Sequence, residues 1–228
     1  MHQKRTIGKM NESALHKGLK ELYCKSGFAK EEEVLGYIVD LKKDQQIIEI
    51  QTGNFASIKK KIATLVAEYK VLIVYPIAKE KKIIKLNTDG EILSQRKSPK
   101  KGDFYHVFNE LVYLNELLVH ANLAIEVVLT KENEIRIDDG LGSWRRKGVS
   151  IVEHHLVGLE EKLLLNSNKD YLDFIPRNLA MPFTNKDLAS CCNYPLTIAR
   201  KMTYTFRQMG LLELAKKEGN TNYYTTKR

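Results

Sequence analysis

The chain has 228 residues, a formal net charge of +9 from 37 Lys and Arg against 28 Asp and Glu, and 43% hydrophobic residues. That length fits one large domain or a medium domain with a small companion, and the hydrophobic share supports an ordinary core, which excludes wholesale disorder. The longest apolar run, residues 71–78, contains Pro76 and falls far short of the ~20 residues that span a bilayer, so no membrane partner is expected.

In chain order, Asn11 or Ser13 can cap a helix running to about Lys25, with Leu15, Leu19 and Leu22 on one stripe and Gly27 as its end. Residues 34–41 and 46–51 are β-rich runs around Lys43-Asp44-Gln45, a hairpin pattern. After Gly53-Asn54, residues 57–69 have helical spacing through Ile58, Ile62, Leu65 and Val66. Residues 71–78 have the continuous apolar character of a strand covered on both faces. Residues 82–86 and 91–94 flank Thr88-Asp89-Gly90, a second hairpin pattern. Val107, Leu111, Leu114 and Leu118 predict a long amphipathic helix over 104–120. Residues 125–129 and 134–137 predict a third hairpin around Lys131-Glu132-Asn133. This order predicts a mixed α/β domain over residues 1–148. Residues 149–182 read as a helical connector, with a helix over 151–165, a polar break at Asn166-Ser167-Asn168 and a linker between Pro176 and Pro182.

The positive charge is uneven: residues 1–149 carry +6, residues 150–180 carry −2, and residues 181–228 carry +5. Lys59-Lys60-Lys61, Arg96-Lys97-Ser98-Pro99-Lys100-Lys101 and Trp144-Arg145-Arg146-Lys147 are dense basic runs, the footprint of a protein that binds phosphate backbones. Arg96, Lys97, Arg145 and Arg146 are candidate DNA contacts on that ground. Three cysteines, Cys24 and the adjacent Cys191-Cys192, are too few and too badly spaced for a disulfide framework or a zinc knuckle. The basic start Met1-His2-Gln3-Lys4-Arg5-Thr6 has no apolar segment behind it. Both features predict a reducing cytoplasm.

The first hairpin carries the main chemical signal. With Asp44-Gln45 as its loop, Asp40 falls opposite Glu49, and Asp40, Glu49 and Gln51 share a face. Like charges directly opposed across a ladder are destabilising, and a divalent cation between the two carboxylates would offset that. An incidental pair on a solvated hairpin edge is the other reading of the same spacing. Glu12 on the first helix, Asp40, then Glu49-Ile50-Gln51 and the helix that follows together resemble the PD-(D/E)xK phosphodiesterase superfamily, the fold of many restriction endonucleases and Holliday-junction resolvases. The resemblance covers about residues 10–80. It implies that Asp40 and Glu49 bind Mg2+ (Mn2+ being the substitute), that the Ile50 carbonyl assists, and that Glu12 is a further ligand. It also implies a lysine where this chain has Gln51, an amide that cannot act as an ammonium does. Lys59 or Lys61 could reach in instead. The alternatives are a Gln variant, a migrated lysine, or an inactive scaffold kept for DNA binding and regulation.

Residues 183–228 form the second constellation. Thr184 or Asn185 caps one helix, Pro195 starts another, Gly210 stops it, and residues 211–214 and 222–225 flank the basic segment 216–220. This resembles the winged helix-turn-helix domain. The resemblance implies that Thr197, Arg200, Lys201, Tyr204 and Gln208 face the major groove and that Lys216 and Lys217 touch backbone. The expected molecule is therefore a metal-dependent DNA endonuclease with an α/β mixed sheet flanked by helices and a small C-terminal winged helix, acting as a homodimer where both strands are cut. His154-His155, read on a helix, point apart. Asp138-Asp139-Gly140 reads as a turn, and Trp144 either packs or stacks on a base.

Overall fold

The structure, a computed structural model, describes residues 12–24 and 27–227. Helix α1 (Ala14–Tyr23) starts at Ser13, whose Oγ accepts from the His16 amide at 3.2 Å, and buries Leu15, Leu19 and Tyr23 on one stripe. The alternative cap Asn11 and the expected end at Lys25 lie outside the described residues. Strands β1 (Ala29–Val34), β2 (Tyr37–Lys43) and β3 (Gln46–Ile50) form an antiparallel meander. Helix α2 (Phe55–Leu65) then carries the chain to β4 (Lys70–Leu86), which runs parallel to β3. β5 (Ile92–Lys97) folds back on the outer half of β4. The short α3 (Phe108–Leu111), β6 (Leu123–Asp138) and β7 (Val149–Leu165) follow.

Among the described residues these strands make one sheet in the order β1-β2-β3-β4-β6-β7, with β5 paired to β4. α1 covers one face, packing Leu15 and Leu19 on Leu41, Ile50, Val74 and Val128. α2 and α3 cover the other, with Phe55, Ile62, Leu65, Phe108 and Leu111 against Ile47, Ile73 and Val127. Both faces of the sheet are covered over β3 and the first halves of β4 and β6, which is why residues 71–78 and 123–129 are mainly apolar, whereas the outer halves of β4 and β6 are charged.

After α4 (Asn168–Leu172), helices α5 (Asn185–Cys192) and α6 (Leu196–Gln208) are followed by a hairpin of β8 (Leu212–Glu218) and β9 (Thr221–Thr226). Thr184 and Asp187 form a capping box at α5, and Gly210 (φ 72°) ends α6, as the sequence indicates. The C-terminal part shares the main core: Phe108 meets Phe174 and Phe206 edge-on, at 5.0 and 5.3 Å between centroids. Among the described residues no helix is long and apolar enough to cross a membrane.

Four expectations are corrected. Residues 151–165 are strand β7, antiparallel to β6, not a helix. Leucines spaced through that segment satisfy either period, and the partner strand decides between them. The segment is therefore part of the main sheet, and the stretch 149–182 is not a helical connector. Lys131-Glu132-Asn133 is no turn, because β6 runs straight through it with small register shifts against β7. The helix expected over 104–120 is broken into 3-10 turns at Phe104–Val107 and Asn115–Val119 around α3, with Asn115 at φ 43°. Its Val112 and Tyr113 are weak helix formers, and consecutive turns preserve the same buried stripe. Finally, residues 34–41 are not one strand. Leu35 (φ 49°) and Gly36 (φ 80°) make a two-residue hairpin turn, adding the charged strand β1 before β2.

Candidate active site

The β2–β3 register is the expected one, with Leu41 opposite Ile48, so the next step along the ladder sets Asp40 beside Glu49. The ladder is interrupted around Asp40. Glu31, its counterpart on β1, sits at φ 56°, a conformation that costs a non-glycine residue, and no pair with Asp40 forms there. The Asp40 carboxylate accepts from the Ile50 amide at 2.8 Å and meets His16 Nε2 of α1 at 3.2 Å. His16 Nδ1 lies 2.5 Å from Glu12, and buried Lys20 pairs with Glu12 at 2.5 Å and Glu31 at 3.0 Å. On the other side, Lys61 Nζ of α2 donates to Glu49 Oε2 at 2.7 Å and to the Ile38 carbonyl at 2.7 Å. Glu49 Oε1 is buried with no hydrogen-bond partner.

The electrostatics follow from this geometry. Burial pushes the Glu49 carboxyl up to about 7, with the Asp40 charge adding to the rise and the Lys61 ammonium opposing it. Burial alone would lower His16, but its bonds to Asp40 and Glu12 and their charges outweigh that and hold it above its ordinary value. Asp40 moves the other way: burial would raise it, and His16 and the Ile50 amide bring it below the usual range. One carboxyl is thus held ionised while its neighbour is pushed up to about 7, a division also used by acid pairs in active sites.

The structure links Glu12 and Asp40 through His16, with the Ile50 amide on Asp40, and sets Glu49 with Lys61 as a second group on the adjacent strand. Gln51 and Lys59 do not join. The Gln51 amide turns back to the Gly53 carbonyl, and Lys59 pairs with Glu116 at 3.3 Å, because successive residues of α2 point apart. Sequence reasoning missed His16 and Lys20. Part of the signal was present, since His16 and Lys20 are four apart on α1; Glu12, expected on that helix, instead precedes its Ser13 cap and reaches both residues from there.

A cleft of about 930 Å³ is lined by Ser13 and Thr52, chain neighbours of Glu12 and Gln51, but not by Asp40, Glu49 or Lys61. Lys81, Arg96, Lys101 and Arg146 line it as well, over a buried acidic pair. Glu132 accepts from Thr130 Oγ1 at 2.7 Å and meets His154 at 3.3 Å, while Glu134 is held by Lys81 at 3.1 Å and by Arg136. Burial would raise Glu134, and the bonds and charges of Arg136 and Lys81 lower it instead. On the C-terminal helix pair, Thr197, Arg200, Tyr204 and Gln208 are exposed on α6, whereas Lys201 is drawn to Asn109 of the main domain at 2.8 Å. Lys216 pairs with Glu218 and lies over Tyr223, Lys217 is exposed, and Lys97 is exposed on β5.

Residues 13–166 match a family described as a domain of unknown function, DUF8091. The chain belongs to this family. The matched stretch runs from the cap of α1 to the end of β7, so it takes in the helix-flanked sheet with His16, Asp40, Glu49 and Lys61, while Glu12 precedes it and α4 to β9 lie beyond it. The chain is also 30% identical over 221 residues to an uncharacterized protein of Treponema pallidum (strain Nichols), covering 93% of this chain and 88% of the relative. At that coverage the similarity runs past the matched family domain into the C-terminal helices. No solved structure matches.

Proposed function

We propose that this DUF8091 chain is a divalent-metal-dependent DNA endonuclease whose C-terminal helix pair and hairpin serve as a winged-helix DNA-binding unit. The observation that carries the reading is the Asp40–Glu49 pair on adjacent strands, with Lys61 on one carboxylate and a buried, unpartnered Glu49 oxygen beside it. The element order supports it too. The expected sequence of helix, hairpin, helix and strand occurs as α1, β2–β3, α2 and β4, with β1 as an added strand.

Among the described residues no three His, Cys, Asp or Glu stand grouped closely enough to hold a metal by themselves. The donor set nonetheless fits Mg2+, or Mn2+ in its place, which takes one or two carboxylates and completes its shell with water and substrate phosphate. Asp40 and Glu49 would hold the ion, with the Ile50 carbonyl and Glu12 in support. Bound there, it would polarise a phosphate and lower the pKa of a water. Lys61, on Glu49, would supply the cation that the PD-(D/E)xK resemblance calls for, orienting the attacking water and stabilising developing charge on the phosphate. His16 holds Asp40 ionised and, by yielding its proton, opens that carboxylate to a cation. Arg96 and Arg146 would steady flanking phosphates in the cleft, with Lys97 and Arg145 outside it. Thr197, Arg200, Tyr204 and Gln208 would face a groove, with Lys216 and Lys217 on the backbone. Lys201 would instead fix the unit on the sheet domain. One site per chain makes double-strand cutting the work of a homodimer. Free thiols at Cys24, Cys191 and Cys192 suit a reducing cytoplasm.

The test is nicking of supercoiled plasmid or branched DNA by purified protein with Mg2+ or Mn2+ and with EDTA. Cleavage that appears only with the metal supports the reading, and intact DNA under all three conditions refutes it. One observation favours a second reading, a DNA-binding protein on an inactive scaffold: the Gln51 side chain is turned to the backbone rather than to the acidic pair. DNA binding without cleavage would select it.

A further inference from the structure

The loop joining β6 to β7, residues 139–148, is firmly built. Asp139 Oδ1 accepts from the Leu141 amide at 3.0 Å and from Ser150 Oγ at 2.9 Å. The Gly142 amide donates to the Gly148 carbonyl at 2.7 Å, and a Cβ at Gly142 would stand 2.0 Å from the Val149 carbonyl oxygen. A single 3-10 turn, Trp144–Arg146, closes the loop, and Arg146 Nε donates to the Val149 carbonyl at 3.0 Å.

Yet this loop keeps its two large apolar side chains out of the core. Leu141 is 85% exposed and Trp144 is 83% exposed, the two highest values among the large hydrophobic residues described. Packing is therefore not what Trp144 does. Arg145 places its guanidinium 5.6 Å from the indole centroid, Arg146 and Lys147 follow, and residues 140–149 contain no carboxylate. Arg146 also lines the cleft that Ser13, Thr52, Glu132 and Glu134 line.

A rigid tip with an open aromatic face, an aliphatic neighbour and three adjacent cations matches a polyanion that also offers a flat apolar surface. Nucleic acid has both, but in an intact duplex the base faces are covered by stacking. An indole gains contact only where a base is unstacked, at a gap, flap or branch, and every base offers such a face. We propose that residues 139–148 form a base-stacking tip, in which Trp144 and Leu141 engage an unpaired base and Arg145, Arg146 and Lys147 hold the adjoining phosphates. The proposal rests on the nucleic-acid reading above and narrows its substrate to DNA interrupted by unpaired bases.

Trp144 is the one tryptophan of the chain, so its emission reports this tip alone. The full-length protein would be titrated in Ca2+, to avoid cleavage, with a gapped duplex, a forked duplex and an intact duplex of equal length. Binding would be followed separately by anisotropy of labelled DNA. Emission should be quenched by gapped and forked DNA and shielded from iodide, with little change on the intact duplex. Trp144→Ala should weaken binding to gapped DNA at least about five-fold, the lower end for one lost base stack, and leave the intact duplex unaffected. Trp144→Phe should recover most of that loss. The Arg145→Ala, Lys147→Ala pair should reduce the salt dependence instead. DNA binding with unchanged emission, or equal effects of Trp144→Ala on all three DNAs, overturns the proposal. An emission shift on anionic vesicles without one on DNA overturns it in favour of a membrane surface. Metal-dependent cleavage without the emission change would remove this proposal alone, whereas quenching without any cleavage would remove only the nuclease reading.

Discussion

Ionisation of Glu49 governs the pH at which the acidic pair can take a cation. With its carboxyl at about 7, roughly a tenth is ionised at pH 6 and roughly nine tenths at pH 8. Mn2+ affinity should therefore rise about ten-fold over that interval, or about 1.4 kcal/mol. His16 acts in the same direction, since its raised pKa keeps a competing cation on Asp40 until the pH climbs past it. Stability of the metal-free protein should move oppositely. Between about 4.5 and 7 native Glu49 keeps a proton that the unfolded chain has lost, so stability falls as pH rises through that window. The His16 contribution, present below its unfolded value of 6.5, is likewise lost as pH rises through its higher folded value. Asp40 and Glu12 are both lowered from their ordinary values, so they do not rise into this range. Isothermal titration with Mn2+ at pH 6 and 8, in two buffers of different ionisation enthalpy, would give both affinity and protons released. Glu49→Gln should abolish the Glu49 part of the pH dependence. Lys61→Met, which removes the charge opposing burial, should move the midpoint above 7. Equal Mn2+ affinity at pH 6 and 8, or an undiminished pH dependence in Glu49→Gln, would refute the reasoning.

Further outcomes follow from packing and charge. Phe108→Ala removes the ring that meets Phe174 and Phe206 and should cost about 3–5 kcal/mol by denaturant unfolding. Arg200→Ala, on the exposed face of α6, should lower the slope of log affinity against log salt by about one, with folding changed by less than about 0.5 kcal/mol. Lys201→Ala should leave that slope unchanged while speeding amide exchange where α6 meets Asn109. Gly142→Ala cannot be accommodated against the Val149 carbonyl and should accelerate exchange of the Gly142 amide, whose bond to Gly148 holds the 139–148 loop.

The sequence made the first hairpin and the C-terminal helices legible because their signals are local. Asp44 with its two flanking runs set the register that brings Asp40 to Glu49, and Thr184, Pro195 and Gly210 marked helix ends that local hydrogen bonding enforces. What failed depended on distant partners. β7 pairs along its length with β6, and no pattern within residues 151–165 reveals that. β1 is charged along most of its length, so only the Leu35-Gly36 turn betrays it. Within the site, Lys61 and Lys59 were equivalent in sequence, and the pitch of α2 chose Lys61. The four-residue spacing of His16 and Lys20 shows a shared helix face, but the contact of His16 with Asp40 exists only once α1 packs on the sheet.

The most direct measurement compares cleavage and binding in the same preparations. Wild-type protein, Asp40→Ala and Glu49→Ala would be incubated with branched or supercoiled DNA and Mg2+, and their DNA affinities measured in Ca2+. The account predicts metal-dependent cleavage by the wild type, a loss of at least about a hundred-fold in both variants, and affinities within a few-fold of one another. Cleavage that survives in either variant, or a wild-type protein that binds DNA with Mg2+ and leaves it uncut, would contradict it.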